Sequence, residues 1–131
     1  MATPATVRAA IRAIREAAPG LEIGLHFHNT RGVGLACVMT GLEEGVTHYD
    51  ASIAGLGGCP FAAGATGNIA TEDLAYLLEE GGYGTGVDLD RLIDAARLAQ
   101  EVIGRPLPGQ VMKAGPRLRR HDPDLTRTAT G

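Results

Sequence analysis

His26-Phe27-His28 is the first part of this sequence whose spacing can do chemistry. On an extended strand, residues i and i+2 leave from the same face, so both imidazoles can reach one metal ion. Two unrelated surface histidines are the alternative reading of an isolated pair. A second constellation is the loop at 55–68, GLGGCPFAAGATGN, with glycines at 55, 57, 58, 64 and 67 and one thiol, Cys59, followed by Pro60. It reads either as a mobile lid carrying a reactive thiol close to a metal or as a glycine-rich surface loop with an incidental cysteine. Asn68 follows, and its amide oxygen can cap the next helix or bind a hard cation. Asp50 and Ser52 alternate along one strand with His48 and share its face. They line the same cavity or make structural hydrogen bonds. Cys37 stands between Ala36 and Val38 in a helical stretch and reads as a small buried hydrophobe.

The elements that must position these residues follow from periodicity. Apolar residues Val7, Ala10, Ile11, Ile14 and Ala18 predict a helix over 4–18, with Thr3 as N-cap and Pro4 in the first turn. Residues 21–28, LEIGLHFH, alternate as a strand, with Leu21, Ile23, Leu25 and Phe27 on one face and Glu22, Gly24, His26 and His28 on the other. A turn at NTRG leads to a helix over 33–44, closed by Gly45. A second strand is expected over 46–54, with a third short one near 66–70. Two further helices are expected, capped by Thr71 and by Asp88. Pro106 and Pro108 end the last of these, and the remainder is expected to be loose. This βα alternation predicts an α/β fold with parallel strands. The Gly/His face of the first strand is too polar to be covered by a helix, and it predicts the inside of a barrel or the mouth of a cleft.

Composition narrows the function classes. The chain has 131 residues, 44% of them hydrophobic and 21% charged, which excludes wholesale disorder. No apolar run approaches the ~18 residues of a membrane span, and no apolar stretch follows basic residues near the N-terminus, so neither membrane insertion nor a signal peptide is expected. Two cysteines, Cys37 and Cys59, cannot build a disulfide framework, and a cytoplasmic location is the expectation. Residues 1–112 carry 7 Lys/Arg against 13 Asp/Glu, whereas residues 113–131 carry 5 against 2. An acidic body with a short basic, flexible tail argues against nucleic-acid binding, which needs a broad cationic face. The organisation expected is a domain over 1–112 and a tail over 113–131.

Three runs together resemble the C-terminal part of the 3-hydroxy-3-methylglutaryl-CoA lyase family: His26-Phe27-His28-Asn29-Thr30, then Tyr49 through Pro60, then Gly67-Asn68-Ile69-Ala70-Thr71-Glu72-Asp73. The likeness runs from about Glu22 to about Gly104. The His-x-His pair is shared across a wider group of metal-dependent barrel enzymes, while GLGGCP followed by GNIATED is specific to the acyl-CoA lyase branch. The resemblance implies a TIM (β/α)8 barrel, of which this chain holds about the last three βα units. It implies that His26, His28 and Asn68 are ligands of a divalent cation, Mg²⁺ or Mn²⁺. It further implies that Cys59 is a lid thiol acting in proton transfer, that Glu72 is a catalytic acid near the site, and that Asp50, Ser52, Gly57 and Gly58 line the acyl-CoA substrate. Asn29 stands where the family often has Asp.

A whole barrel needs eight βα units and about 250 residues. The family's first strand supplies a catalytic Arg and an Asp metal ligand that match nothing here. The chain therefore reads as a C-terminal segment, incomplete alone, that self-associates or needs the missing N-terminal barrel half. The activity implied is metal-dependent carbon–carbon cleavage of a 3-hydroxyacyl-CoA to acetyl-CoA and a keto acid. The alternatives are a non-catalytic remnant serving as an assembly module, or a related aldolase or Claisen-type enzyme with another acyl substrate.

Overall fold

The structure, a computed structural model, describes residues 2–58 and 67–117. Helix α1 (Pro4–Ala17) starts at Thr3, whose hydroxyl accepts from the Thr6 N–H while Thr6 Oγ1 accepts from the Thr3 N–H, a reciprocal cap. Strand β1 (Gly24–His26) leads to helix α2 (Gly34–Glu43), and strand β2 (His48–Asp50) to a 3₁₀ turn at Ile53–Gly55. Helices α3 (Thr71–Glu80), α4 (Leu89–Ile103) and the short α5 (Val111–Ala114) complete the described chain. The strands are parallel, with Gly24 beside His48, Leu25 beside Tyr49 and His26 beside Asp50. This is the expected βα order with much shorter strands than the alternation at 21–28 and 46–54 suggests.

The third strand is reduced to two single bridges. Asn68 pairs antiparallel with His28, and Ala70 pairs parallel with Ser52. The hydrogen bonds alternate between the two neighbours. Ile69 N–H donates to the Phe27 carbonyl at 3.0 Å, and the Ile69 carbonyl accepts from Ser52 N–H at 3.2 Å. Ile69 itself is buried. Helix α3 then begins at Thr71, with Ala70 rather than Thr71 as N-cap and no side-chain cap bond. The Thr71 N–H is already taken by the Ser52 carbonyl at 2.9 Å, so the preceding strand does the capping. Asp88 caps α4 as expected, its side chain accepting from Arg91 N–H.

One face of the strands is covered by α2. Leu25 and Tyr49 are half-buried against a core of Val7, Ile11, Phe27, Cys37, Val38, Val46, Ile69 and Leu74. Gly41 lets α2 approach this closely, because a β-carbon there would sit 2.5 Å from Leu25 Cδ1 and 2.6 Å from the Tyr49 hydroxyl. That hydroxyl donates toward the carbonyls of Val38 and Val46, and burial pushes its pKa up to about 12. Cys37 is fully buried, and burial raises its thiol too. The carboxylate of Glu44, just past α2, receives Arg8 and Arg12 from α1. The Arg12 hydrogen bond leads in holding that carboxyl below its ordinary range.

The segment after α4 is not loose. Leu107 and Met112 are each 2% exposed and pack with Ala54 and Ala96 in a second core cluster. Gly104, in the left-handed conformation at φ +72°, ends α4 before Pro106 is reached, and the prolines do not stop the segment that follows from burying apolar side chains. Asp73 of α3 anchors them, its carboxylate accepting from Gln110 N–H at 2.9 Å and Val111 N–H at 2.7 Å. Of the tail expected over 113–131, residues 118–131 lie outside the described residues.

Two substitutions test this packing. Gly41→Val wedges a branched side chain under α2 and is expected to lower stability by about 1–3 kcal/mol, read as a lower urea midpoint with an unchanged m-value. Asp73→Ala strips the acceptor from α5 and is expected to speed amide exchange at Gln110 and Val111, by about 1–3 kcal/mol of local stability, while β1 and β2 amides hold their protection.

Candidate metal and lid site

The face of the sheet opposite α2 is polar and open. Gly24, His26, His48 and Asp50 are all exposed, as the alternation of Gly and His with apolar residues requires. Parallel register sets His26 beside Asp50, and a carboxylate oxygen of Asp50 meets His26 Nδ1. Nε2 is thereby the His26 nitrogen left to face a ligand, the arrangement in which a carboxylate orients a metal-binding imidazole. The His28 ring lies edge-on to that of His26, with centroids 5.3 Å apart. The i, i+2 spacing thus delivers two imidazoles to one place.

Asn68 is brought to His28 by the single antiparallel bridge. Its Nδ2 donates to the Leu56 carbonyl at 2.8 Å, which orients the amide. Its Oδ1 is buried and has no hydrogen-bond partner among the described residues. Such an atom is expensive to leave alone, and it marks a place where a partner belongs. Glycine makes the approach possible. Gly57 has φ +107°, and a β-carbon there would lie 2.7 Å from Asn68 Nδ2. Gly67 has φ +112° and packs on the carbonyls of Gly55 and Gly57, leaving no room for a side chain. These two glycines cinch the ends of the loop that leaves the site at Gly58 and returns at Gly67.

The other expected residues are distributed unevenly. Cys59 lies outside the described residues; the described chain brings its neighbour Gly58, exposed, to the start of the loop. Ser52 is half-buried and joins the third segment through its backbone. Glu72 is fully buried, with Oε2 accepting from Ala54 N–H at 2.9 Å, so it faces the interior rather than the open side of the sheet. Asn29 uses its Oδ1 to accept from Gly34 N–H at the start of α2.

Behind Asn68 lies a cavity of about 280 Å³, whose lining includes Asn29, Thr30, Asp73, Pro108 and Gln110. The contribution of Pro108 and Gln110 was hidden in the sequence. The only hint was the apolar set of Leu107, between the prolines, and Val111 and Met112, beyond them. The larger cavity, about 520 Å³, is lined by Leu42, Tyr49, Leu74 and Tyr83 on the helix side of β2, away from the histidines. A third, about 380 Å³, runs between α1 and β1 and is lined by Val7, Ile11, Ile14, Ile23, Leu25 and Phe27. It opens beside the edge of β1 that has no strand partner among the described residues. No helix of the described residues is long and apolar enough to cross a membrane.

Comparison with known proteins places this geometry in a family. The HMGL-like family model matches residues 1–99. A hydroxymethylglutaryl-CoA lyase of Bacillus subtilis is 46% identical over 109 residues, 83% of this chain and 36% of the relative. An (R)-citramalyl-CoA lyase of Chloroflexus aurantiacus is also 46% identical, over 88% of this chain and 37% of its own length. Among solved structures, an HMG-CoA lyase of Acinetobacter baumannii in complex with coenzyme A and 3-methylmalate superposes with a TM-score of 0.86 at 44% identity, covering 92% of this chain and 40% of that one. The chain spans little more than a third of the length of the relatives it matches. With the family model matched over most of its residues and the strand, loop and helix order that the solved relatives share, the chain belongs to the HMGL-like family.

Proposed function

We propose that this chain carries the metal-binding and lid portion of an acyl-CoA carbon–carbon lyase. The observation that carries the reading is the buried, unpartnered Oδ1 of Asn68, a residue whose backbone bridges to His28, together with the adjacent imidazoles of His26 and His28. Two imidazole nitrogens and one amide oxygen suit a divalent cation, Mg²⁺ or Mn²⁺, and these three ligands from this chain would leave positions for a carboxylate from the rest of the barrel and for substrate oxygens. When bound, the cation supplies Lewis acidity at the substrate's hydroxyl and carbonyl oxygens.

The rest falls to side chains. Asp50 holds His26 through Nδ1, so that Nε2 faces the site. Gly57 and Gly67 anchor a loop that closes over the substrate and excludes water, carrying Cys59 to it. Ser52, Gly57 and Gly58 line the approach. As a base of the assembled barrel takes the hydroxyl proton and the carbon–carbon bond breaks, the O–H electron pair forms the new carbonyl and the carbon–carbon pair passes to the acetyl carbon. That carbon takes a proton from the Cys59 thiol, giving acetyl-CoA and a keto acid. The substrate class follows the relatives, a hydroxymethylglutaryl-CoA lyase and a citramalyl-CoA lyase, and the coenzyme A seen in one solved relative.

The activity needs more of the barrel than this chain holds. The apolar groove between α1 and the unpaired edge of β1 fits a preceding strand and helix of such a barrel. The 131-residue chain alone is expected to cleave 3-hydroxy-3-methylglutaryl-CoA at least about 10²–10³-fold more slowly than intact relatives, since each missing electrostatic group typically accounts for a factor of that size. Acetyl-CoA release by the purified chain at rates typical of intact lyases would reject this. Mn²⁺ binding followed by electron paramagnetic resonance tests the site itself. His28→Ala is expected to weaken binding at least about tenfold with an unchanged circular dichroism spectrum, and unaltered affinity would remove His28 from the ligand set.

A further inference from the structure

Glu72 is a buried acid whose surroundings are unlike those of a proton donor to substrate. It is fully buried in the first turn of α3. Oε2 accepts from Ala54 N–H, while Oε1 is buried and without a partner among the described residues. The Gly109 backbone closes over Oε1, and a β-carbon on Gly109 would overlap it. Burial raises the Glu72 carboxyl above its ordinary range, opposed by its backbone hydrogen bonds. The adjacent acid, Asp73, is committed to Gln110 and Val111.

Ala54 is the one described residue other than glycine with positive φ, at +54°. An alanine stays in the left-handed region only where its surroundings hold it there. Both of its main-chain groups are held: N–H by Glu72, and carbonyl by the Gly109 N–H at 3.1 Å. Two residues on, the Leu56 carbonyl receives Asn68 Nδ2 and thereby fixes which way the amide, with its buried Oδ1, is turned. A change in the Ala54 corner moves the acceptor that aims this amide.

We infer that Glu72 is a positioning residue: its carboxyl pins the left-handed corner at Ala54 and, through Leu56, fixes the orientation of the Asn68 amide. The requirement is an acceptor at Oε2, not a transferable proton. This rests on the reading of Asn68 as a ligand only for its consequence in metal binding.

Glu72→Gln keeps that acceptor and Glu72→Ala removes it. Two readouts are taken on the full chain: Mn²⁺ affinity, and hydrogen exchange of the Ala54 amide and the Asn68 side-chain amide by nuclear magnetic resonance. Glu72→Ala is expected to speed both exchange rates and to weaken Mn²⁺ binding by about 10–100-fold, while Glu72→Gln stays close to the parent in both. A folded Glu72→Ala protein with parent-like exchange at Asn68 would overturn the inference. So would a Glu72→Gln protein that fails as badly as Glu72→Ala, because charge or a proton would then be what matters. If Glu72→Ala does not fold, a trans-hydrogen-bond coupling between Ala54 N and the Glu72 carboxyl carbon in the parent decides with Glu72→Gln: both retained supports the inference, and either lost rejects it. Should the parent bind no Mn²⁺, the ligand reading fails, and the exchange data still decide the role of Glu72.

Discussion

Ile69 is the residue on which the site depends. Its N–H belongs to the end of β1 through Phe27, and its carbonyl belongs to the end of β2 through Ser52. Its side chain is 1% exposed, packed in the main core beside Gly34, where any β-carbon would strike it. One buried isoleucine therefore draws a short segment across the ends of two parallel strands. Asn68, its neighbour, lands beside His28 as a consequence. The burial of about one isoleucine, worth roughly 1.5–3 kcal/mol, stabilises a geometry that the two backbone bonds make specific.

Around that crossing, polar groups are divided by exposure. On the open face, His26 and Asp50 remain exposed and pair with each other, free to meet a ligand. Inside, Glu72 and Asp73 are buried in the first turn of α3, where Glu72 Oε2 accepts from the 3₁₀ turn and the Asp73 carboxylate accepts from the N–H groups at the start of α5. Negative charge in the first helical turn is favoured by the helix dipole, which helps two adjacent acids occupy an interior position. The acids therefore meet backbone, whereas the histidines stay open to solvent.

The same layout accounts for the unfinished side of the fold. The core lies between the strands and α2, with α1 joined to α2 by Arg8, Arg12 and Glu44. On the far side of β1, Ile14 stays 40% exposed in the groove between α1 and β1. Apolar side chains that recur at helical and strand spacing, yet remain open along a strand edge, suit a sheet that continues beyond β1.

Much was legible from local pattern alone. Thr3-Pro4 and Asp88 mark helix starts because capping depends on a few neighbouring residues. The Gly/His alternation of β1 foretells an uncovered face because side-chain direction on a strand is set by parity. His26 and His28 could be paired from spacing, and Asn68 was singled out by its likeness to the lyase family. Thr71 misled, because its N–H is satisfied by Ser52, nineteen residues earlier. The burial of Leu107 between two prolines and of Met112 beyond them, and the turning of Glu72 toward Ala54 and Gly109, were equally invisible. Each depends on which distant backbone group arrives within hydrogen-bond reach. Sequence by itself determined the periodicities, the caps and the chemistry of the side chains. Tertiary structure decided which of those side chains stay open and which meet the backbone, because burial and long-range hydrogen bonding are properties of the packed chain rather than of any local stretch.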